Sequence, residues 1–377
     1  MRGRLTILAS LCVLGLAMPA TGAAASDPYT DVPASFWARG QVLWSATNGW
    51  ITPRAPTHFG VAHTASRLTA SRVLAKLALK VTHTPMAADT YTQAVESGWM
   101  AAGTGPDQPI TQLDFDRGVV TVLGLKRIAT TIGHLRTADG WHPHTPTGFG
   151  VEQVVRAIGA RVNAPDGSDQ WEQWPAQPLL RANLAVEAYQ LAHLPSWAAY
   201  EAQSEEAVST ALPTWTPLKR AVLGFALRYA GAPYVWGGEY PTPSSPYGAQ
   251  AAGGFDCSGF VWWVLKMQTY HVGSLTWSGS SQILGRDTYT MARDLPVSRR
   301  VPYSGLHPGD ILFWSSAPNG VNTAWSTVYH AGIYLGNGWT INSHGSGDGV
   351  TLNYMGPGAG WYHDAFAFGW RVMPLGK

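Results

Sequence analysis

At 377 residues the chain is too long for one ordinary domain, and at 45% hydrophobic it can bury a sizeable core. Only 13% of it is charged and the net charge is +2, which argues against a nucleic-acid partner. In chain order, Met1-Arg2-Gly3-Arg4 is a short basic head, residues 5–18 are an apolar run, and Pro19-Ala20-Thr21-Gly22-Ala23-Ala24-Ala25 supplies small residues. This pattern predicts a secretory signal peptide over residues 1–25, with an apolar stretch too short to stay as a membrane anchor. No later segment is apolar enough to predict a membrane span. Cleavage would take Arg2 and Arg4 from the 25 basic side chains, leaving them equal in number to the 23 acidic ones. It would also remove Cys12, one of two cysteines, and leave Cys257 without a disulfide partner.

Residues 27–195 read as a mainly helical domain. Tyr29-Thr30-Asp31-Val32 and Asn48-Gly49-Trp50-Ile51 precede an amphipathic stretch with Leu68, Val73, Leu74, Leu77 and Val81 near one face. The order recurs: Ser97-Gly98-Trp99 leads to Pro109-Ile110-Thr111 and then to Val119, Val120 and Leu123. A fainter third copy has Val151, Val154, Val155, Ile158 and Val162 on one helix, then Pro178-Leu179-Leu180-Arg181 opening another. The pattern resembles the S-layer homology module, three helical units that hold proteins to cell-wall polymers. That resemblance implies a wall polymer as partner of this half. The family's basic signature is blurred here, at Arg67-Leu68-Thr69, Thr111-Gln112-Leu113 and Leu180-Arg181-Ala182. His142-Pro143-His144 has no acidic or cysteine neighbour and reads as a surface loop, so no metal is expected there.

Residues 196–216 lose the helical period and carry Glu201, Glu205 and Glu206, which predicts a polar linker. Pro217 then suits a helix start, with Leu218, Val222, Phe225 and Tyr229 on its apolar face. Gly253-Gly254 precede Phe255-Asp256-Cys257-Ser258-Gly259-Phe260, so a glycine-rich loop hands over to a helix with the thiol on its first turn. Unpaired helix amides and the positive end of the macrodipole are expected to favour a thiolate. The residues alone also allow a buried structural cysteine.

A thiolate nucleophile needs a base, and the base needs an orienting group. His330 lies in the alternating run Tyr329-His330-Ala331-Gly332-Ile333-Tyr334-Leu335, and Gly336-Asn337-Gly338 reads as a three-residue hairpin loop before Trp339-Thr340-Ile341-Asn342-Ser343-His344. If Leu335 pairs with Trp339, His330 lies opposite His344 and diagonal to Asn342, all on one face. Register alone leaves either residue as orienter.

Tyr234-Val235-Trp236-Gly237-Gly238, the cysteine motif, Pro308-Gly309-Asp310-Ile311-Leu312-Phe313 and the histidine hairpin, in that order across residues 217–377, resemble the NlpC/P60 cysteine peptidases. The resemblance implies an α+β, papain-like fold, with the cysteine helix packed on an antiparallel sheet and the helical domain preceding it. It implies hydrolysis of peptidoglycan stem peptides between D-γ-glutamyl and the diamino acid, without a cofactor. It makes Cys257 the nucleophile, His330 the base and Asn342 the third polar residue, where the family more often has histidine. His344 stands as the alternative. Tyr234, Asp256 and Ser258 match positions lining the subsite for the stem peptide's free amine. An amidase acting on N-acetylmuramoyl-L-alanine, a transacylase, or a non-catalytic wall-binding protein are the competing functions. Residues 240–252 and 268–302 are longer than the family's usual loops, either rimming the cleft or lying on the surface.

Overall fold

The computed structural model describes residues 28–195, 198, 202–203, 212–345 and 349–375. The expected signal peptide (1–25, with Cys12) and most of the expected linker lie outside them. Among the described residues no helix is long and apolar enough to cross a membrane.

The first part is helical: α1 (Arg39–Thr47), α2 (Arg67–Thr82), α3 (Thr90–Glu96), α4 (Gln112–Val122), α5 (Lys126–Gly133), α6 (Phe149–Ala157) and α7 (Arg181–Ala192). The repeat in the sequence is a three-fold arrangement of the pairs α1–α2, α3–α4 and α6–α7, with α5 added between the second and third. Three extended segments meet at its centre in a closed ring of backbone hydrogen bonds. Ala65 N donates to Leu179 O (2.7 Å), Leu179 N to Ile110 O (2.8 Å), and Ile110 N to Ala65 O (3.1 Å). Ala65, Ile110 and Leu179 are buried, so each polar pair inside the core is satisfied by the next copy.

Each first helix ends the same way. Gly49, Gly98 and Gly159 take φ of +64°, +70° and +72°. The next amides turn back onto the helix, Trp50 N to Ser45 O, Trp99 N to Ala94 O and Ala160 N to Val155 O. The third copy therefore stops before Val162, expected on its helical face but exposed. Val81, at the end of the first amphipathic stretch, is exposed as well.

The second part begins with α8 (Pro217–Leu227), capped by the Thr216 hydroxyl, and α9 (Cys257–Val261), which widens into a π-helical turn over Trp262–Lys266. α10 (Thr288–Asp294) and α11 (Trp361–Asp364) follow. Six strands form one antiparallel sheet: β1 (Arg300–Val301), β2 (Ile311–Ser315), β3 (Val328–Gly336), β4 (Trp339–His344), β5 (Gly349–Tyr354) and β6 (Phe366–Trp370), in the order β5-β4-β3-β2-β6-β1. The chain is thus α+β, with helices packed on an antiparallel sheet and a helical part before it.

The two parts share one hydrophobic core. Strand β5 is an edge of the sheet, and its exposed polar groups are covered. The Gln153 side chain accepts from Leu352 N (2.9 Å), while Val350 exchanges backbone hydrogen bonds with Gly231 and Ala232. Trp174 Nε1 donates to Gly253 O (2.8 Å) and Trp236 N to Asp169 Oδ1 (3.0 Å). The described end of the 196–216 segment is not a solvated connector: Leu212 and Trp215 are buried. Trp215 packs on Trp141 and donates to Leu335 O (3.0 Å). Its charged residues suggested solvent, but the two apolar side chains govern its final turn.

Candidate active site

Strand-like residues Gly254–Phe255 pair with Glu239–Tyr240 and deliver the chain to α9. The close fit explains the glycines: a Cβ on Gly259 would stand 1.9 Å from Gly238 O. Asp256 caps the helix, accepting from Gly259 N (2.6 Å) and from the Ser258 hydroxyl (2.9 Å). Cys257 is therefore the first helical residue. Its sulfur lies 3.3 Å from Thr288 Oγ1 and accepts from the backbone amides of Ser258 and Ala331. Ala331 adjoins His330, which places the thiol beside β3.

The expected thiolate is corrected by the surroundings. Burial, and then the Asp256 carboxylate, push the Cys257 thiol up to about 11, against the smaller downward pull of Thr288 and the two amides. Desolvation and a neighbouring negative charge outweigh the helix start. The balance favours the thiol form of Cys257 over the thiolate.

His330 is buried on β3. Burial and then His344 hold its imidazolium form well below the usual histidine range, with Asn342 acting in the opposite direction. His330 Nε2 stands 2.9 Å from Asn342 Oδ1. An amide oxygen only accepts, so Nε2 carries the proton and Nδ1 is left as the basic atom. The hairpin differs at its tip from the three-residue loop expected. Trp339 pairs with Gly336, and the loop is Asn337-Gly338 with φ of +52° and +82°. A register shift follows at once, and Thr340 pairs with Tyr334 and Ile341 with Ile333. This is the alignment the expected pairing demanded, so His330 and His344 face each other with ring centroids 4.7 Å apart.

Asn342 takes the hydrogen bond to His330. His344, whose burial lowers its imidazolium pKa to about 4, contacts the same ring edge-on and the exposed Trp361 at 5.1 Å. Tyr234 bridges to Phe255, and its ring lies near Gly345; burial, Cys257 and Asp256 raise its hydroxyl. Asp256 and Ser258 are engaged internally. The hydroxyl of Ser258 accepts from Arg286 Nη1 (3.1 Å), and the same guanidinium nitrogen lies 3.4 Å from Asp256 Oδ1. Tyr234, Asp256, Ser258, Cys257, His330, Asn342 and His344 thus converge on one region.

Four further residues join them. Arg286 and Thr288 come from the 268–302 segment, which is thereby part of the site rather than surface ornament. Asn353 on β5 contacts Asn342, and Trp361 lies 5.6 Å from the His330 ring. Asn353 has a signal in the sequence, since it alternates with Thr351 on the strand after the hairpin; the other three carry no local pattern.

The segment comprising residues 231–367 matches the NlpC/P60 family. A probable endopeptidase of Mycobacterium bovis is 34% identical over 125 residues, 33% of this chain and 23% of that protein. The bifunctional muramidase/DL-endopeptidase CwlT of Bacillus subtilis is 27% identical over 143 residues, 38% of this chain and 33% of that protein. The chain thus spans a third or less of the length of either relative. Among solved structures, the P60 domain of an antigen from M. avium subspecies paratuberculosis is 22% identical with a TM-score of 0.29, covering 42% of this chain and 96% of that one.

Proposed function

With residues 231–367 as an NlpC/P60 domain, we propose that the protein is a secreted cysteine endopeptidase of the bacterial cell wall, cleaving peptidoglycan stem peptides between D-γ-glutamyl and the diamino acid. The single observation that carries the reading is the Cys257–His330–Asn342 arrangement. A thiol starts a helix beside β3, and a neutral imidazole is held by an amide so that Nδ1 is its basic atom. The name of the B. subtilis relative, a bifunctional muramidase/DL-endopeptidase, supports the substrate class.

The starting state is a neutral pair. As substrate excludes water, the Cys257 proton passes to His330 Nδ1 and the sulfur attacks the isopeptide carbonyl. The developing oxyanion is met by amides at the start of α9, including that of Cys257. His330 then returns the proton to the leaving amine, and the thioester on Cys257 is hydrolysed by water that His330 deprotonates. Asp256 and Ser258, held by Arg286, form with Tyr234 the wall on which the stem peptide's free amine rests. The helical part holds the enzyme to a wall polymer, as the S-layer homology resemblance implies.

Digestion of purified peptidoglycan, with mass spectrometry of the fragments, tests the reading. New amino termini on the diamino acid are expected. Release of intact stem peptides from muramic acid would identify an amidase instead, and joined peptides a transacylase. Unchanged peptidoglycan would remove the enzymatic reading.

A further inference from the structure

A carboxamide is a poor orienter by shape alone, because its oxygen and nitrogen ends are nearly the same size. Turned over, Asn342 would offer an N–H to His330, favouring the tautomer with a proton on Nδ1 and none on Nε2. That tautomer has no basic atom for the cysteine. A histidine base held by asparagine therefore needs something that fixes which way the amide faces.

Strand β5 places a second carboxamide, tied to a threonine hydroxyl, against the first. Asn342 pairs across the strands with Thr351, and Asn353 lies two residues on, with its side chain on the same face. Asn353 Oδ1 accepts from Asn342 Nδ2 at 3.0 Å and from the Thr351 hydroxyl at 2.9 Å. The Tyr362 hydroxyl adds a long contact to Asn342 Oδ1 at 3.4 Å. The donors run in one direction, from Thr351 and Asn342 toward Asn353, and from His330 and Tyr362 toward Asn342. We propose that Asn353 is a positioning residue for the reaction: its carboxamide oxygen captures the Asn342 amide nitrogen, which turns the Asn342 oxygen to His330 and fixes the productive imidazole tautomer.

This rests on the assignment of His330 as base, but its test has a readout independent of activity. The ring-nitrogen chemical shifts of His330 report the tautomer directly, alongside kcat and KM on a muropeptide. Asn353→Leu removes the acceptor, whereas Asn353→Asp keeps an oxygen that can only accept. In the wild type and in N353D, Nε2–H is expected, with kcat of N353D within about threefold of wild type. In N353L a mixture with Nδ1–H is expected, and kcat falls at least about tenfold with KM little changed. Nε2–H retained in full by N353L, or kcat in that variant within twofold of wild type, would overturn the proposal. If N353L does not fold, N353D decides: an Nδ1–H tautomer there would overturn it equally. Tautomers behaving as expected in a protein that cleaves nothing would spare the positioning role and sink the peptidase reading.

Discussion

The helical and sheet parts both bury polar groups, and they satisfy them in opposite ways. In the helical part the device is repeated: three copies exchange backbone hydrogen bonds around a ring, so no copy is complete alone. Around that ring the charges are buried in a cluster, with Arg161 within 3.4 Å of Asp116 and 3.5 Å of Glu152, and Arg156 3.2 Å from Glu152. In the sheet part the device is a single line, His330 to Asn342 to Asn353, in which each link sets the direction of the next. A symmetric ring gives cohesion, and a directed line gives one imidazole a defined tautomer. Removing a member should cost stability in the first and activity in the second.

The largest effect falls on activity. Cys257→Ala is expected to lower muropeptide cleavage at least about 10,000-fold while the thermal unfolding midpoint stays within a few degrees of wild type. Activity persisting in that variant would place the nucleophile elsewhere.

In the helical part the sharpest break is Arg161→Met. It leaves Asp116 without its buried cation and Glu152 with Arg156 alone, and a loss of about 3–5 kcal/mol in denaturant unfolding is expected. The pH dependence follows from Asp116, whose carboxyl is pushed well up by burial and by the Glu187 and Glu152 carboxylates. The fold therefore keeps a proton that the unfolded chain gives up near the ordinary carboxylate value. Stability falls as pH rises from that value toward the folded one. Asp116→Asn should flatten this slope, which unfolding curves across that range would show.

A matched pair of glycines gives a smaller contrast. A Cβ on Gly150 would meet Ala129 O at 1.8 Å, and one on Gly259 would meet Gly238 O at 1.9 Å. Each alanine variant should cost about 1–3 kcal/mol. Only Gly259→Ala should also change kcat, because α9 must shift with its cysteine. Equal loss of kcat in both would mean that the shared core transmits strain from α5 and α6 to the site.

Much of the site was legible because its chemistry is local. The alternating run around His330, the hairpin tip (though of two residues, not the three expected) and the small residues flanking Cys257 each fit within a dozen positions, and the register places Asn342 and His344 on the expected face. The three-fold ring was legible only as a degenerate repeat. Its hydrogen bonds join Ala65, Ile110 and Leu179, between 45 and 114 positions apart, through backbone atoms that leave no residue signature. Arg286 was hidden for a similar reason: its partners Glu239, Asp256 and Ser258 lie 28 to 47 positions away. The misjudged thiol has another cause. Helix position is read from neighbours in the chain, whereas desolvation depends on what packs above the sulfur.

That misjudgement gives the smallest effect and the finest test of the directed site. With the Cys257 thiol pushed up to about 11, thiolate is scarce at neutral pH, and alkylation by iodoacetamide should climb with pH through 9 without a plateau near 6. Asp256 contributes to that rise through its charge, yet it also caps α9 by accepting from Gly259 N. Asparagine keeps a capping oxygen and drops the charge. Asp256→Asn should therefore lower the thiol pKa and speed labelling at pH 8 by about threefold, with the helix retained. Slower labelling in D256N would mean that the carboxylate helps the thiol ionise through the helix it caps, and that its charge is already neutralised by Arg286.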